Sequence, residues 1–164
     1  MKVIVISDTH IPTCANALPS IVEEEIKKSD YCLHAGDFVS YKFFESLRKF
    51  TKISAVCGNM DEAIVMGNLP KKQIVELENV KIGLIHGRGA PNNLIQYIKD
   101  EFKNEYNSID IFVFGHSHLP TDEMIEGKIF FNPGSPTDKI FAPYCSYGIL
   151  EIKDKTIHKK IVKI

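Results

Sequence analysis

Five short apolar segments predict the strands in the first two thirds of the chain. They span 2–7, 31–36, 52–58, 81–87 and 109–115. Each is rich in β-branched or aromatic residues, and near-continuous apolar runs of this length are typical of strands covered on both faces. We therefore expect these segments to form buried strands in the interior of the protein.

Helical periodicity is found between these strands. We predict helices over about 17–28 and 41–50, and a third helix that begins near Pro91. The third segment carries an apolar stripe at helical spacing, formed by Leu94, Ile95, Ile98 and Phe102. A stripe of this kind faces the core of a globular protein.

The last part of the chain, together with 72–79, predicts hairpins. Segments 121–135 and 146–164 contain the turn-like triplets EGK and KDK. An early βαβ pattern followed by hairpins indicates an α/β fold, with either one mixed sheet or two packed sheets. Because the sequence has no repeat, linker or low-complexity tract, we predict a single domain over 1–164.

Charge and hydropathy narrow the class of partner. The 164 residues include 20 basic and 21 acidic side chains, for a net charge of −1. This balance does not favour nucleic acid as a structural partner or an anionic membrane surface. The N-terminal apolar run covers only Val3–Ile6, and no later run approaches the roughly 18 residues of a membrane span. We therefore expect a cytoplasmic protein with no membrane association.

The four cysteines give no metal or redox motif. They are widely spaced, at Cys14, Cys32, Cys57 and Cys145, and no C-x-x-C pair is present. Disulfides are rare in the cytoplasm. We expect buried or partly buried thiols, which behave as small hydrophobic side chains.

Residues of metal-ligating type lie at or just after the ends of all five apolar segments. In chain order these residues are Asp8 and His10, Asp37, Asn59 and Asp61, His86, and finally His116 and His118. In open α/β sheets, ligands bind beyond the carboxyl ends of the strands. Any one of these residues alone would more simply be structural, but together they predict a metal site at one edge of the sheet.

Local spacing suggests how the side chains reach that site. A glycine stands beside the polar residue at Gly36, Gly58, Gly87 and Gly115, where it permits a sharp or positive-φ turn. The Asp8/His10 and His116/His118 pairs are two residues apart, and on extended backbone such residues point to the same side. Each pair is therefore expected to reach one metal or two neighbouring metals.

The ligand types restrict the metal. Mixed nitrogen and oxygen donors suit Mn, Fe, Ni, Co or Zn, and they suit Ca²⁺ poorly. The donor set lacks thiolates, which argues against a closed structural zinc site.

The ordered motifs resemble those of a known family. D-x-H, G-D, G-N-x-D, H-G and G-H-x-H follow one another from Asp8 to His118, as in the calcineurin-like metallophosphoesterase superfamily. The chain most resembles the small single-domain phosphodiesterases of bacteria and archaea. The resemblance implies two packed mixed β-sheets flanked by helices, a four-layer αββα sandwich. The segment FNPGSP, which contains Asn132, resembles a turn of those small members, and we interpret it as structural.

The resemblance also implies roles for individual residues. One divalent transition-metal ion would be held by Asp8, His10 and His118, and a second by Asn59, His86 and His116, with Asp37 as the bridge. Asp37, Asn59 and His86 would then act directly in catalysis. Two metals about 3.5–4 Å apart can share a hydroxide that attacks a phosphate ester. The implied activity is a metal-dependent phosphodiesterase acting on a small phosphate ester.

One position departs from the family pattern. Many members have histidine third in the G-N-x-D motif, where it is thought to protonate the leaving group, and this chain has Met60. Asp61 or a metal-bound water could replace it, and the sequence selects neither. Arg88 follows His86 and is a weaker candidate for substrate binding, as is Asp61. His34 is interpreted as a supporting or packing residue.

Two further interpretations of the function stay open. One is a protein-binding scaffold, as in the retromer subunit that shares the fold but lacks a complete ligand set. The other is a phosphomonoesterase or protein phosphatase, which would use the same metals. A homo-oligomer is also possible, since Phe43, Phe44 or Phe141 could form an interface.

Overall fold

Ten strands and four helices make up the protein in a computed structural model that describes residues 1–164. The strands are β1 (Lys2–Ile6), β2 (Tyr31–His34), β3 (Lys52–Ala55), β4 (Lys72–Leu77), β5 (Val80–Ile85), β6 (Ile111–Val113), β7 (Thr121–Ile125), β8 (Lys128–Asn132), β9 (Ser146–Lys153) and β10 (Thr156–Lys163). The helices are α1 (Ser20–Lys28), α2 (Tyr41–Leu47), α3 (Ala63–Asn68) and α4 (Leu94–Glu101). None of the helices is long and apolar enough to cross a membrane.

The strands form two mixed sheets of five strands each. The first has the order β10-β9-β1-β2-β3, in which β1, β2 and β3 are parallel. The second has the order β4-β5-β6-β8-β7, in which β5, β6 and β8 are parallel. The prediction of an α/β fold is confirmed, and the structure selects two sheets over one.

The largest apolar cluster lies between the two sheets. Val3, Val5 and Leu33 of the first sheet pack against Leu84 and Val113 of the second, and all five are fully buried. Burial of one such side chain contributes roughly 1.5–3 kcal/mol. The alternate residues of β1 point to the other face, as expected for a strand. The interior between the sheets is therefore closed at its centre, and sites can form only at its ends.

The helices cover the outer faces of the sheets. Val22, Phe44 and Val65, from α1, α2 and α3, pack with Ile4 and Ile6 on the first sheet. Helix α4 packs on the second sheet through the predicted stripe, in which Ile95 is only partly buried. This gives the expected four-layer αββα sandwich. Of the helices, only α3 was not predicted, since its six residues carry one buried side chain, Val65.

Tight hairpins join β4 to β5, β7 to β8 and β9 to β10, as predicted for this part of the chain. The turns lie at Glu78–Asn79, Glu126–Gly127 and Asp154–Lys155, and every turn residue has a positive φ. Segment 72–79 supplies only β4 and the turn, and the second strand of that hairpin is β5.

Two expectations about placement are wrong. The five predicted strands do not share one sheet edge, because β1, β2 and β3 belong to the first sheet and β5 and β6 to the second. Their carboxyl ends instead meet at one end of the sandwich, where the His116 amide, after β6, donates to the Asp8 carboxylate, after β1, at 3.1 Å. Among the cysteines, Cys14 is exposed, since it lies in the loop between β1 and α1 and not in a strand.

Candidate metal centre

The candidate ligands leave their strands through left-handed loop residues. The φ values are 53° at Asp8, 43° at His10, 58° at Asp37, 71° at His116 and 57° at His118. The expectation that the two i, i+2 pairs lie on extended backbone is therefore wrong. Left-handed conformations are uncommon outside glycine, although Asp, Asn and His adopt them more often than other residues.

The four glycines serve two different purposes. Gly36 and Gly87 have φ values of 94° and 106°, as predicted for turn residues. Gly115 does not have a positive φ, and a Cβ atom there would lie 1.9 Å from Ser7 Oγ. Gly58 is similar, since its Cβ would lie 2.0 Å from Asp37 Oδ1. In the GHSH segment the glycine thus permits close packing against β1, and the left-handed turn is made by the histidines.

One group of ligands combines Asp8, His10 and His118. Their candidate ligand atoms lie within 4.8 Å of one another. His10 Nε2 is 3.3 Å from His118 Nε2, which in turn is 3.4 Å from Asp8 Oδ1. Asp8 is fully buried and His10 is 6% exposed.

Asp37 connects this group to the remaining ligands. Its Oδ2 atom lies 3.5 Å from His10 Nε2 and 3.3 Å from His86 Nε2. The other carboxylate oxygen, Oδ1, accepts a hydrogen bond from the Met60 amide at 2.9 Å. One oxygen therefore stays directed at both histidines, which is the position required of a bridging ligand.

The other group contains Asn59, His86 and His116. Asn59 Oδ1 lies 3.2 Å from His86 Nε2 and 3.0 Å from His116 Nδ1. The second ring nitrogen of each histidine faces a backbone carbonyl, at 2.7 Å to Ala35 for His86 and 2.9 Å to Gly89 for His116. Since a carbonyl only accepts, these nitrogens carry the protons and the neutral rings direct their lone pairs toward Asn59.

Asp138, which the sequence reasoning missed, fixes the orientation of His118. Its Oδ2 atom contacts His118 Nδ1, so the proton of the neutral ring lies on Nδ1 and the Nε2 lone pair faces Asp8. The Asp138 side chain is 3% exposed. A carboxylate behind a ligating histidine is a common supporting arrangement in metal sites. In the sequence, the only signal was an acidic residue shortly after the FNPGSP turn.

The same turn also holds the loop after β1. Ser135 Oγ donates to the Asp8 carbonyl and Thr137 Oγ1 to the Thr9 carbonyl, each at 2.7 Å. Both hydroxyl side chains are buried. These hydrogen bonds stabilise the left-handed backbone at Asp8, which agrees with the structural interpretation of the turn.

Two histidines of the cluster hold a proton strongly. Burial opposes protonation of His86, but its hydrogen bond with Asp37 and the charges of Asp8 and Asp37 raise its pKa to about 9. Burial also opposes protonation of His118, and the hydrogen bonds and charges of Asp8 and Asp138 raise its pKa to about 9. A divalent cation bound here would displace these protons.

His34 supports the loops around the cluster. Its Nδ1 accepts from the Gly36 amide at 3.2 Å, so Nε2 donates to Thr9 Oγ1, 3.1 Å away. The ring stacks on Phe38 and is fully buried. Burial, and then the charge of His86, lower its pKa well below the usual value, which keeps the ring neutral.

The weaker candidates occupy different environments. Both oxygens of Asp61 accept backbone hydrogen bonds at 2.7 Å, from Val39 and Gly58, and the side chain is buried. This geometry favours a structural role, although burial raises the pKa of Asp61. Arg88 is exposed and lines a cavity beside His86 and His116. Met60 is 58% exposed, next to Asn59.

The donor set fits two divalent transition-metal ions. In the neutral rings, lone pairs of His86, His116 and His118 converge on oxygen atoms of Asn59 and Asp8, with no donor between them. Imidazole and carboxylate donors of this kind suit Mn, Fe, Co, Ni or Zn. The structure thus contains candidate metal-ligand groups at this site, while the roles of the seven residues as ligands stay predictions.

Sequence relatives carry names that agree with this chemistry. The chain is 34% identical to a probable metallophosphoesterase of Methanocaldococcus jannaschii, over 100% of this chain and 82% of that relative. It is also 34% identical to a probable metallophosphoesterase of Methanothermobacter thermautotrophicus, over 99% of this chain and 92% of that relative.

Solved structures share the fold. A Thermotoga maritima protein superposes with a TM-score of 0.79 at 30% identity, and the match covers 99% of both chains. Vps29 of Entamoeba histolytica, crystallised in complex with zinc, gives 0.75 at 26% identity over 99% of both chains. An archaeal phosphodiesterase gives 0.73 at 22% identity, over 99% of this chain and 100% of that one, which shows the fold alone.

The family assignment covers nearly the whole chain. Residues 1–155 match the calcineurin-like phosphoesterase superfamily domain. This segment contains all seven candidate ligands, from Asp8 to His118, as well as Asp138. The resemblance expected from the ordered motifs is confirmed, and the chain belongs to the calcineurin-like phosphoesterase superfamily.

Proposed function

We propose that the protein is a phosphodiesterase that hydrolyses a small phosphate ester with two divalent metal ions. The observation that carries this proposal is the convergence of imidazole lone pairs on Asn59, Asp8 and Asp37. The position of Asp37 favours two metal ions over one, because its Oδ2 atom faces a histidine of each group. The physiological metal is left open among Mn, Fe, Co, Ni and Zn.

The protein's own contribution is to hold the donors in place. When bound, two such ions supply Lewis acidity to the phosphoryl group and activate the attacking water. Asp138 and the carbonyls of Ala35 and Gly89 each contact one ring nitrogen of a histidine, and this contact keeps the other nitrogen of that ring aimed at the site. Two divalent ions carry four positive charges, and the carboxylates of Asp8 and Asp37 carry two negative charges. The occupied site would therefore have a net positive charge, which favours an anionic substrate.

The chain lacks a side-chain proton donor where many relatives place one. Met60 cannot donate a proton, and both oxygens of Asp61 are occupied by backbone amides. We therefore expect esters of good leaving groups, such as nitrophenolate, to react far faster than alkyl esters. Comparable rates for an aryl and an alkyl diester, with chemistry rate-limiting, would contradict this expectation.

The direct experiment compares a diester with a monoester. Metal-stripped protein is reconstituted separately with Mn, Fe, Co, Ni, Zn and Mg, and hydrolysis of bis-p-nitrophenyl phosphate is measured beside p-nitrophenyl phosphate. Metal-dependent cleavage that favours the diester is the expected result. A preference for the monoester would instead identify a phosphomonoesterase with the same ligands.

A protein-binding scaffold is the second candidate function. It is favoured by one observation, the exposed apolar pair Ile140 and Phe141, which are 83% and 77% exposed beside the cluster. The absence of turnover with every metal, in protein shown to be folded and to bind metal, would favour the scaffold.

A further inference from the structure

A cavity of about 560 Å³ opens directly beside the second ligand group. Asn59, His86 and His116 form one of its walls, so any molecule that fills the cavity is adjacent to the candidate ligands. The volume is within the range of small-molecule sites, about 300–1,000 Å³. The cavity is therefore large enough for a part of the substrate beyond the reacting phosphoryl group.

The charged residues that line this cavity are cations. Lys71 and Arg88 contribute to its wall, and no Asp or Glu does. The ion pairs of the protein involve other lysines and another arginine, so neither cation is neutralised by a neighbouring carboxylate. Exposed cations without partners beside a metal site favour a ligand with an additional negative charge.

Backbone structure holds both cations at the cavity. The Cys57 amide donates to the Pro70 carbonyl at 2.9 Å, which places Lys71 beside the loop after β3. The left-handed turn at Gly87 separates Arg88 from His86, and a Cβ atom at Gly87 would lie 3.0 Å from Leu94 Cδ2. Both positions are thus set by the loops that also carry candidate ligands.

The remaining wall is apolar and includes an aromatic ring. Tyr97 of α4, Met66 of α3 and Ile85 at the end of β5 line the cavity. Tyr97 is half-buried, and Met66 is 45% exposed. A ring or short apolar segment of a substrate can pack against these side chains.

From these observations we propose that the cavity is a substrate subsite for a second anionic group. Lys71 and Arg88 bind that group, and Tyr97 and Met66 contact the ring that joins it to the reacting phosphoryl group. This inference rests on the proposed phosphodiesterase activity and names its substrate class as diesters that carry an additional phosphate on a ring-containing substituent.

Two matched esters test the subsite. Thymidine 5′-(p-nitrophenyl phosphate) and its 3′-phosphorylated form share one reacting bond and one leaving group. In both, the oxygen of water forms a new P–O bond, the bond to nitrophenolate breaks, and a proton passes to solvent. The 3′-phosphate is expected to raise kcat/KM about fivefold, the effect of one or two partly exposed charge pairs.

Substitutions test whether the preference for the 3′-phosphorylated ester depends on the cations of the cavity. In the Arg88→Gln/Lys71→Gln protein the preference for the 3′-phosphorylated ester should fall to about one. Lys103→Gln removes an exposed lysine that does not line the cavity, and it should keep both the preference and the activity. A preference that survives the double substitution, or one lost equally in the control, would overturn the subsite.

These measurements distinguish an error in the proposed subsite from an error in the proposed phosphodiesterase activity. If bis-p-nitrophenyl phosphate is hydrolysed but the two thymidine esters react equally fast, the subsite is wrong and the phosphodiesterase stands. If no ester is hydrolysed, calorimetric binding of thymidine 3′,5′-bisphosphate and thymidine 5′-monophosphate decides the matter. Tighter binding of the bisphosphate, lost in the double variant, supports the subsite, and equal affinities refute it.

Discussion

The two ligand groups differ in how firmly the protein holds them. In the group of Asp8, His10 and His118, two side chains are buried, and the third is backed by the buried carboxylate of Asp138. In the group of Asn59, His86 and His116, only His86 is buried, and backbone carbonyls support the rings.

From this difference we expect the two groups to differ in metal affinity and in access to substrate. A rigid ligand set binds metal more tightly, because less order is lost on binding. We therefore expect the first group to bind its ion more tightly, and the second, which borders the cavity, to contact the substrate. Metal titration should then show two binding events of unequal affinity.

The largest effect on activity is expected at Asp37, which connects the two groups. Asp37→Asn keeps the shape of the side chain but removes the charge that faces a histidine of each group. Loss of one preorganised electrostatic partner costs about 10²–10³ in kcat, and the measurement is kcat on bis-p-nitrophenyl phosphate. Circular dichroism confirms the fold, and full activity in a folded variant would refute the bridging position.

The next largest effect is a loss of metal affinity, which should be confined to the group of Asp8, His10 and His118. Asp138→Asn removes the negative charge behind His118, and the loss of such a supporting carboxylate weakens metal binding roughly 10–100-fold. Calorimetric titration should show this loss in the tighter event only. A change restricted to the weaker event would reverse the comparison between the groups.

A smaller effect on activity is expected in the group of Asn59, His86 and His116. Met60→His places an imidazole beside Asn59, at a side chain that is 58% exposed and can be replaced without a packing penalty. We expect about a tenfold rise in the hydrolysis of alkyl diesters, below the 10²–10⁴ of an optimised general acid. Aryl diesters should change little, and an equal rise for both would argue against proton donation.

The smallest effect concerns the metal-free protein. The pKa values of His86 and His118 are raised to about 9, so protonation favours the folded state. This stabilisation is complete below the unfolded pKa of about 6.5 and is lost as the pH rises toward 9. The Tm of metal-free protein should fall over this interval, and each kcal/mol of stability lost corresponds to about 2–4 °C.

A control separates this titration from a general effect of pH. Asp138→Asn removes a charge that raises the pKa of His118, and it should therefore reduce the slope of Tm against pH. An unchanged slope would show that the charge of Asp138 does not contribute to the fall.

Residue types and their order along the chain were sufficient to predict that the candidate ligands lie close together. Apolar runs identify strands, and strand ends place polar residues together, whichever sheet each strand joins. The strands' division between two sheets could not be predicted from periodicity, because a buried strand has the same apolar pattern in either sheet. The resemblance to a known family supplied that information.

Backbone conformation and distant partners were beyond the sequence patterns. The i, i+2 spacing of Asp8 and His10 does not reveal left-handed residues, because loop conformation depends on hydrogen bonds from Ser135 and Thr137. Asp138 was missed for a similar reason, since its contact with His118 spans twenty residues of chain and follows no periodic pattern.

The left-handed backbone of the cluster has an evolutionary consequence. Five of the candidate ligands, Asp8, His10, Asp37, His116 and His118, adopt positive φ values, each of which costs an L-residue roughly 1–2 kcal/mol. Replacement by glycine would relieve that strain and abolish the donor. A lineage that ceased to bind metals would no longer need these donor atoms, and we expect glycine to be tolerated at these positions in descendants that became scaffolds.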